Sequence, residues 1–445
     1  MTGKINIEVA TGSDLAAFTA AIGLNFTGAS FKSKFITING NGGDRLTMLG
    51  NFTYDPGTGE LNGGSVSATK WSDNGVLYAI AKGDAIDAEQ FYSAFVAADP
   101  TAFFNLFGDI IFNGNAGDDV GFGLALNDSL FGFAGDDAFL GFAGNDVIDG
   151  GAGGDQMDGG VGNDTVSYDS STSRVTVNLT QGNGSGGDAT GDVIAGFENI
   201  TGSDFSDKLT GTKFANILKG GLGNDTLIGE AGGDTLDGGQ DIDTASYIHS
   251  RSGVDVNLES GTALGGHAAG DTLVSIESVR GSKFNDVLTG DNKANALSGG
   301  KGDDTLLGGV NSDTLKGGSG DDRLEGGQGI DKIFGDAGSD TIALGRIDSS
   351  KDFIFKFASG ADHLEINASA FGGGLTGGVA LDPGQLVLNN TGLADDADDR
   401  FILNTTTGEL FFDINGSISG DGGSSLIADF EGAIPVLTAA DFDIV

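Results

Sequence analysis

A nine-residue beat constrains this chain more than any other feature. Residues 281–343 read as seven consecutive units, and the last five keep the beat most clearly: GGKGDDTLL, GGVNSDTLK, GGSGDDRLE, GGQGIDKIF and GDAGSDTIA. The sixth position is acidic or amide, at Asp286, Asn295, Asp304, Asp313, Asp322, Asp331 and Asp340; the eighth is aliphatic, at Leu288, Leu297, Leu306, Leu315, Leu324, Ile333 and Ile342. Glycine admits positive φ, so the first six residues of a unit can turn with their carbonyls to one side. The remaining three form a very short strand whose single aliphatic side chain faces inward. A flexible Gly/Asp linker would not hold an aliphatic residue at every ninth position.

Two further blocks keep the same phase. Residues 114–167 place Asp119, Asp128, Asp137, Asp146, Asp155 and Asp164 nine apart, and residues 202–246 place Asp207, Asn216, Asp225, Asp234 and Asp243 likewise. Between the blocks a larger duplication is visible at a constant offset of 79: Ser167-Tyr168, Val175, Val177-Asn178-Leu179, Gly191-Asp192 and Glu198 recur as Ser246-Tyr247, Val254, Val256-Asn257-Leu258, Gly270-Asp271 and Glu277. Each copy therefore carries an interlude, 168–201 or 247–280, whose V-x-V-x-L alternation reads as a strand. Close to four units long, an interlude either continues the coil without metal or leaves it as a bulge or side loop.

Stacked turns bring the carbonyl and Asp oxygens of one turn opposite those of the next. Hard oxygen donors and negative charge suit Ca²⁺ rather than zinc or copper, and the chain has no cysteine for a soft metal. The candidate ligands are Asp119, Asp128, Asp137, Asp146, Asp155, Asp164, Asp207, Asp225, Asp234, Asp243, Asp286, Asp304, Asp313, Asp322, Asp331 and Asp340. Asn216 and Asn295 keep an oxygen but lose the charge, so weak or empty sites are expected there. Without the ion the carboxylates repel and the glycine-rich chain has little core, so calcium is expected to drive folding.

The first block departs from the pattern. Leu124, Phe133 and Phe142 replace the second glycine, and Phe122 and Phe131 fill the ninth position. These rings exceed what a core taking one side chain per unit can hold. Some are expected on an outer face, either against the N-terminal region or as a self-association surface. Gly121 and Ala245 stand where the aliphatic residue belongs and are expected to leave gaps.

The G-G-x-G-x-D units resemble the RTX, or haemolysin-type, calcium-binding repeat family. That resemblance implies a mainly β fold, a parallel β-roll with two units per coil and Ca²⁺ between the turns. It also implies a C-terminal β-rich cap over residues 344–445, with strands at Phe353–Phe357, Leu364–Ile366, Arg400–Leu403 and Glu409–Asp413. The tail Asp441-Phe442-Asp443-Ile444-Val445 resembles an uncleaved signal read by type I secretion machinery of Gram-negative bacteria, and on its own reads as a final strand.

The division expected is 1–113, 114–343 and 344–445. Residues 1–113 lack the beat and read as a small α+β domain of unknown role: strands at 34–38, 46–49 and 51–54, then helices from Asp87 and from Pro100. A net charge of −42 argues against nucleic acid and anionic membrane surfaces as partners. Neither an N-terminal secretory pattern nor a transmembrane run is visible. No H-E-x-x-H and no G-x-S-x-G is present, and His249, His267 and His363 are scattered and read as exposed polar residues. The expectation is a non-enzymatic, extracellular or cell-surface protein. It would be a surface-layer or matrix component that folds with calcium and self-associates. The alternative is an adhesin or ligand-binding protein, for instance for cell-surface polysaccharide, with specificity in the N-terminal domain.

Overall fold

The computed structural model describes residues 111–123, 125–345, 351–415 and 424–445, together with the backbones of six strands between Ile5 and Asp87. Two compact units divide the chain, Met1–Gly211 and Thr212–Val445. In the first, Ile5–Val9 lies parallel to Ser33–Gly40, and Arg45–Tyr54, Leu61–Asp73 and Val76–Ala81 follow antiparallel. These strands cover the expected segments 34–38, 46–49 and 51–54. The helices expected from Asp87 and Pro100 lie outside the described residues.

From Ile111 on, the described residues of the first unit form a parallel β-roll. Ile111–Asn113, Ser129–Phe131, Val147–Asp149, Thr165–Ser167 and Asn199–Thr201 form one ladder, and Val120–Phe122, Ala138–Leu140, Gln156–Asp158 and Val193–Ala195 another. Within the blocks, partners are 18 residues apart, so each coil holds two nine-residue units. The eighth-position side chains Leu130, Ile148, Val166 and Leu209 are completely buried, each contributing roughly 1.5–3 kcal/mol of apolar transfer energy. The gap expected at Gly121 does not exist. A Cβ there would strike the ring of Phe139, which packs edge-on against Phe112 with centroids 5.6 Å apart. Phe112 from the facing ladder and Phe139 from the next coil fill the space that the missing aliphatic side chain leaves.

The interlude does both things the sequence left open. The coil resumes at Val193–Ala195, 37 residues after Gln156–Asp158, and the intervening chain forms an antiparallel hairpin, Thr176–Asn178 with Asn183–Ser185, inserted into the same ladder. Val175 and Val177 of the V-x-V-x-L stretch enter the core.

The second unit repeats this architecture. Thr235–Gly239 pairs with Thr272–Val274 across a hairpin of Asp255–Asn257 with Thr262–Leu264. From there two ladders run unbroken: Val287–Thr289, Thr305–Val310, Arg323–Gln328, Thr341–Leu344 and His363–Ile366 on one side, Ser278–Arg280, Ala296–Lys301, Thr314–Ser319, Lys332–Ala337 and Asp352–Phe355 on the other. The nine-residue beat ends at Leu344, but the ladders continue, because Asp352–Phe355 and His363–Ile366 take the next places in them. Phe401–Asn404, Glu409–Asp413 and Ser424–Glu431 then form an antiparallel sheet, and the last strand, Phe442–Ile444, lies parallel to His363–Ile366.

Candidate metal centre

All sixteen candidate aspartates are buried, each with at most 3% of its surface exposed. In most of them the first carboxylate oxygen, Oδ1, has the same task, while Asp207 and Asp286 accept instead from Val175 and Val254 N–H at 2.7 and 2.8 Å. The backbone N–H of one sixth-position residue donates to the Oδ1 of its counterpart one coil on: Asp119 to Asp137 at 2.6 Å, Asp137 to Asp155 at 2.8 Å, Asp304 to Asp322 at 2.8 Å, Asp313 to Asp331 at 2.8 Å. This ladder ties successive coils together beside the strands.

The second oxygen divides the sites into two kinds. In Asp137, Asp146, Asp155, Asp164, Asp234, Asp243, Asp304, Asp313 and Asp322 it is buried and has no hydrogen-bond partner in the protein. Orphaned charged oxygens of this kind are rare in folded chains unless an ion completes them. It lies over the first glycine of its own unit and beside a carbonyl of the next coil. A methyl group added at Gly308 would meet both Asp313 Oδ2 and the Gly326 carbonyl oxygen at 2.5 Å. Carboxylate and carbonyl oxygens thus converge on one gap, a hard-oxygen donor set that fits Ca²⁺. Asp225, Asp331 and Asp340 present Oδ2 to Gly220, Gly326 and Gly335 in the same way.

In the other kind the turn closes on its own carboxylate. Ser203 donates its N–H to Asp207 Oδ2 at 2.5 Å and Ser282 to Asp286 Oδ2 at 2.6 Å, and their hydroxyls add bonds of 2.9 and 2.8 Å. Asn115 does the same for Asp119 at 2.6 Å, and Thr212 and Asp291 for the amide oxygens of Asn216 and Asn295 at 2.6 and 2.7 Å. Asp128 belongs to a unit whose second residue, Leu124, lies outside the described residues.

The second residue of the unit decides between the two. Wherever the carboxylate is open that residue has positive φ, as at Gly151 (85°), Gly300 (112°), Gly309 (110°) and Gly318 (119°). Phe133 (75°), Phe142 (72°), Glu230 (69°) and Asp336 (73°) adopt the same left-handed conformation without being glycine. In the closed turns Asn115, Ser203, Thr212, Ser282 and Asp291 are absent from that region, which leaves their N–H directed at the carboxylate. Both asparagines therefore stand where a neutral oxygen suffices. The sequence groups all sixteen aspartates; the backbone separates them.

Burial is the main cause of a further property. It pushes the carboxyls of Asp155, Asp234, Asp304, Asp313 and Asp322 up to about 7, and those of Asp146, Asp243 and Asp340 to about 6, with neighbouring aspartates adding to it. A bound cation reverses that preference by favouring the ionised form.

Several participants went unassigned in the sequence. Asp192 Oδ1 accepts from Asp155 N–H at 2.9 Å and Asp271 Oδ1 from Asp234 N–H at 2.9 Å, so both continue the ladder through the interludes. Their second oxygens are closed by phenols: Tyr168 donates to Asp192 at 2.8 Å and Tyr247 to Asp271 at 3.1 Å. Glu198 and Glu277 serve Asp164 and Asp243, and Asp352 and Asp362 serve Asp331 and Asp340. The 79-residue duplication repeats the Tyr, Asp and Glu positions and was the signal for the first three pairs. Asp352 and Asp362, set 21 and 22 residues after their donors, break the beat and carry no such signal. Outside the core a second ladder runs through fifth positions, where Asp321 N–H donates to Asp303 Oδ1 at 3.0 Å and Ser339 N–H to Asp321 Oδ1 at 2.8 Å.

Among the described residues no three His, Asp or Glu side chains gather tightly enough to hold an ion by themselves, so the turn sites depend on backbone carbonyls. The family model for the RTX calcium-binding nonapeptide repeat matches residues 113–141, 132–166, 210–245, 280–315 and 316–346. No curated protein matches the chain. These matched segments coincide with the turns just described, and over them the chain carries RTX nonapeptide repeats, which are calcium-binding repeats.

Proposed function

We propose that this is a secreted, non-enzymatic structural protein of the bacterial cell exterior, of surface-layer or matrix type, which folds on meeting calcium and then self-associates. The observation that carries the assembly claim is the apolar face of the first block. Phe122, Phe133 and Phe142 are 42%, 59% and 46% exposed, and the rings of Phe122 and Phe142 lie 6.2 Å apart. Phe133 and Phe142 also hold left-handed backbone that costs a bulky residue about 1 kcal/mol or more. A position that glycine fills without strain, given instead to an exposed ring, fits a contact surface.

Export is part of the same reading. Asp441 is buried and accepts from Gly360 N–H at 2.6 Å, Ser359 Oγ at 2.8 Å and Thr438 N–H at 2.6 Å, and Phe442–Ile444 is a strand of the folded unit. A type I secretion signal in this tail is readable only while the chain is unfolded, which low cytosolic calcium would ensure.

The test is light scattering and sizing of the full chain with calcium, beside a Phe133→Gly/Phe142→Gly variant. Concentration-dependent assembly that the double variant loses while keeping its β signal is expected. A wild-type chain that stays monomeric at high concentration contradicts the assembly claim, and ligand capture on a glycan array would then favour an adhesin with specificity in residues 1–113.

A further inference from the structure

The buried carboxylate oxygens without a partner fall into three runs, and between the runs lie two stretches that have none. Asp155 and Asp164 keep such an oxygen, and from 168 to 210 no buried side-chain oxygen lacks a partner. Asp234 and Asp243 keep one, none is left over from 247 to 298, and Asp304, Asp313 and Asp322 then resume the pattern. Each of the two units holds one closed stretch. The closing groups belong to the chain itself. Tyr168 and Tyr247, at most 3% exposed, donate their hydroxyls to Asp192 Oδ2 at 2.8 Å and to Asp271 Oδ2 at 3.1 Å, and the N–H groups of Ser203 and Ser282 serve Asp207 and Asp286. The same stretches are the best filled. Residues 168–201 bury seven apolar side chains and 247–280 bury eight, whereas the equally long 299–332 buries three, Leu306, Leu315 and Leu324.

We propose that residues 168–210 and 247–298 are calcium-independent folding nuclei, in which a tyrosine hydroxyl takes the place of the ion, and that the open turns on either side are built onto them. Folding without a cation needs enough apolar burial to offset chain entropy, and no buried charge left bare. The open turns meet neither condition and these stretches meet both. A hydroxyl bonded to a carboxylate is a strong, charge-assisted pair, and as part of the chain it is present at any calcium concentration. The nucleus of the second unit also offers hydrogen-bonding groups at both its edges. On the N-terminal side it holds acceptors, Asp271 Oδ1 for Asp234 N–H at 2.9 Å and Glu277 Oε2 for Asp243 N–H at 3.3 Å. On the C-terminal side it holds donors, the N–H groups of Asp286 and Asn295, each 2.8 Å from Oδ1 of Asp304 and of Asp313 respectively. An open turn beside it therefore adds to a finished coil and bears only its own ordering cost, so calcium uptake starts next to the nucleus and runs outward. Stretches this short are marginally stable. The tail strand Phe442–Ile444 pairs with His363–Ile366, outside them, and so stays free until calcium arrives.

The experiment is hydrogen exchange of the full chain in chelator, read peptide by peptide by mass spectrometry, on the wild type and on Tyr247→Phe, which keeps the ring and removes the hydroxyl. In the wild type, amides of 168–210 and 247–298 should exchange at least about tenfold more slowly than those of 299–343, and added calcium should then protect 299–343 as well. In Tyr247→Phe the chelated protection of 247–298 should be lost and that of 168–210 kept, while the calcium-loaded protein retains its β signal and reaches it at a higher calcium midpoint. Equally fast exchange of all three stretches in the chelated wild type overturns the proposal, whether or not the variant folds. Chelated protection of 247–298 that Tyr247→Phe leaves unchanged overturns the hydroxyl as the replacement for the ion.

Discussion

Residues 281–298 and 299–343 belong to one block with one period and bury their sixth-position side chains equally, yet they treat those side chains in opposite ways. In the first stretch Ser282 and Asp291 donate N–H groups to Asp286 and Asn295 at 2.6 and 2.7 Å. In the second, Gly300, Gly309 and Gly318 hold positive φ, and Asp304, Asp313 and Asp322 each keep a buried oxygen for which the protein supplies no donor. An open turn therefore offers an ion a buried carboxylate oxygen that a closed turn does not, and openness is a backbone property of the unit's second residue.

The largest expected effect separates the two stretches by removing a ligand. Asp322→Ala should lose roughly 2.7 kcal/mol of stability when calcium stands at about a hundredfold its dissociation constant, read by denaturant unfolding. Asp286→Asn should change little, because Asn295 already fills a closed turn. Equal losses in the two would erase the distinction.

Acidification comes next. The raised carboxyls near 7 at Asp304, Asp313 and Asp322 hold protons in the metal-free fold more tightly than the unfolded chain does. The metal-free roll therefore loses stability as pH rises from about 4 through 7, and regains it as pH falls. Wherever the protonated metal-free roll is populated, calcium must displace its protons, so below about pH 7 the midpoint concentration should rise by up to about tenfold per pH unit for each proton displaced (about 1.4 kcal/mol). Calcium titrations at pH 7.5 and 5.5 followed by circular dichroism check this, and a β signal that survives chelation at pH 5.5 together with a pH-independent midpoint would refute it.

Smaller effects probe the second residue itself. Gly300→Ala forces a side chain into left-handed backbone and should cost about 1 kcal/mol, with weaker calcium binding at Asp304. Ser282→Gly removes the hydroxyl that caps Asp286 and lets the turn open; a small change in stability with added calcium uptake is expected by calorimetry. If Ser282→Gly leaves calcium uptake unaltered, the choice between open and closed turns lies elsewhere.

Much of this was legible in the sequence, because the repeat is its own structural instruction. The eighth-position residues from Leu288 to Ile342 went to the core as their spacing required, and the 18-residue pairing matches two units per coil. What escaped had physical reasons. Glycine and serine at the second position look equally small in a sequence, but only their φ separates an open turn from a closed one. Gly121 read as a void because the reach of Phe112 from the facing ladder and of Phe139 from the next coil is a tertiary fact. Asp352 and Asp362 lie off the beat, so only the ladder reveals that they finish it. His249 and His267, read as scattered polar residues, both meet Glu230, at 2.6 and 3.5 Å, because the hairpin of the interlude brings them together.

The most direct test of calcium as the folding agent is hydrogen exchange of the full chain with calcium and with chelator, comparing amides of residues 299–343. Protection that appears only with calcium, first and most strongly at the N–H groups of Asp304, Asp313 and Asp322, is the predicted result. Undiminished protection of those amides in the chelated protein would contradict it.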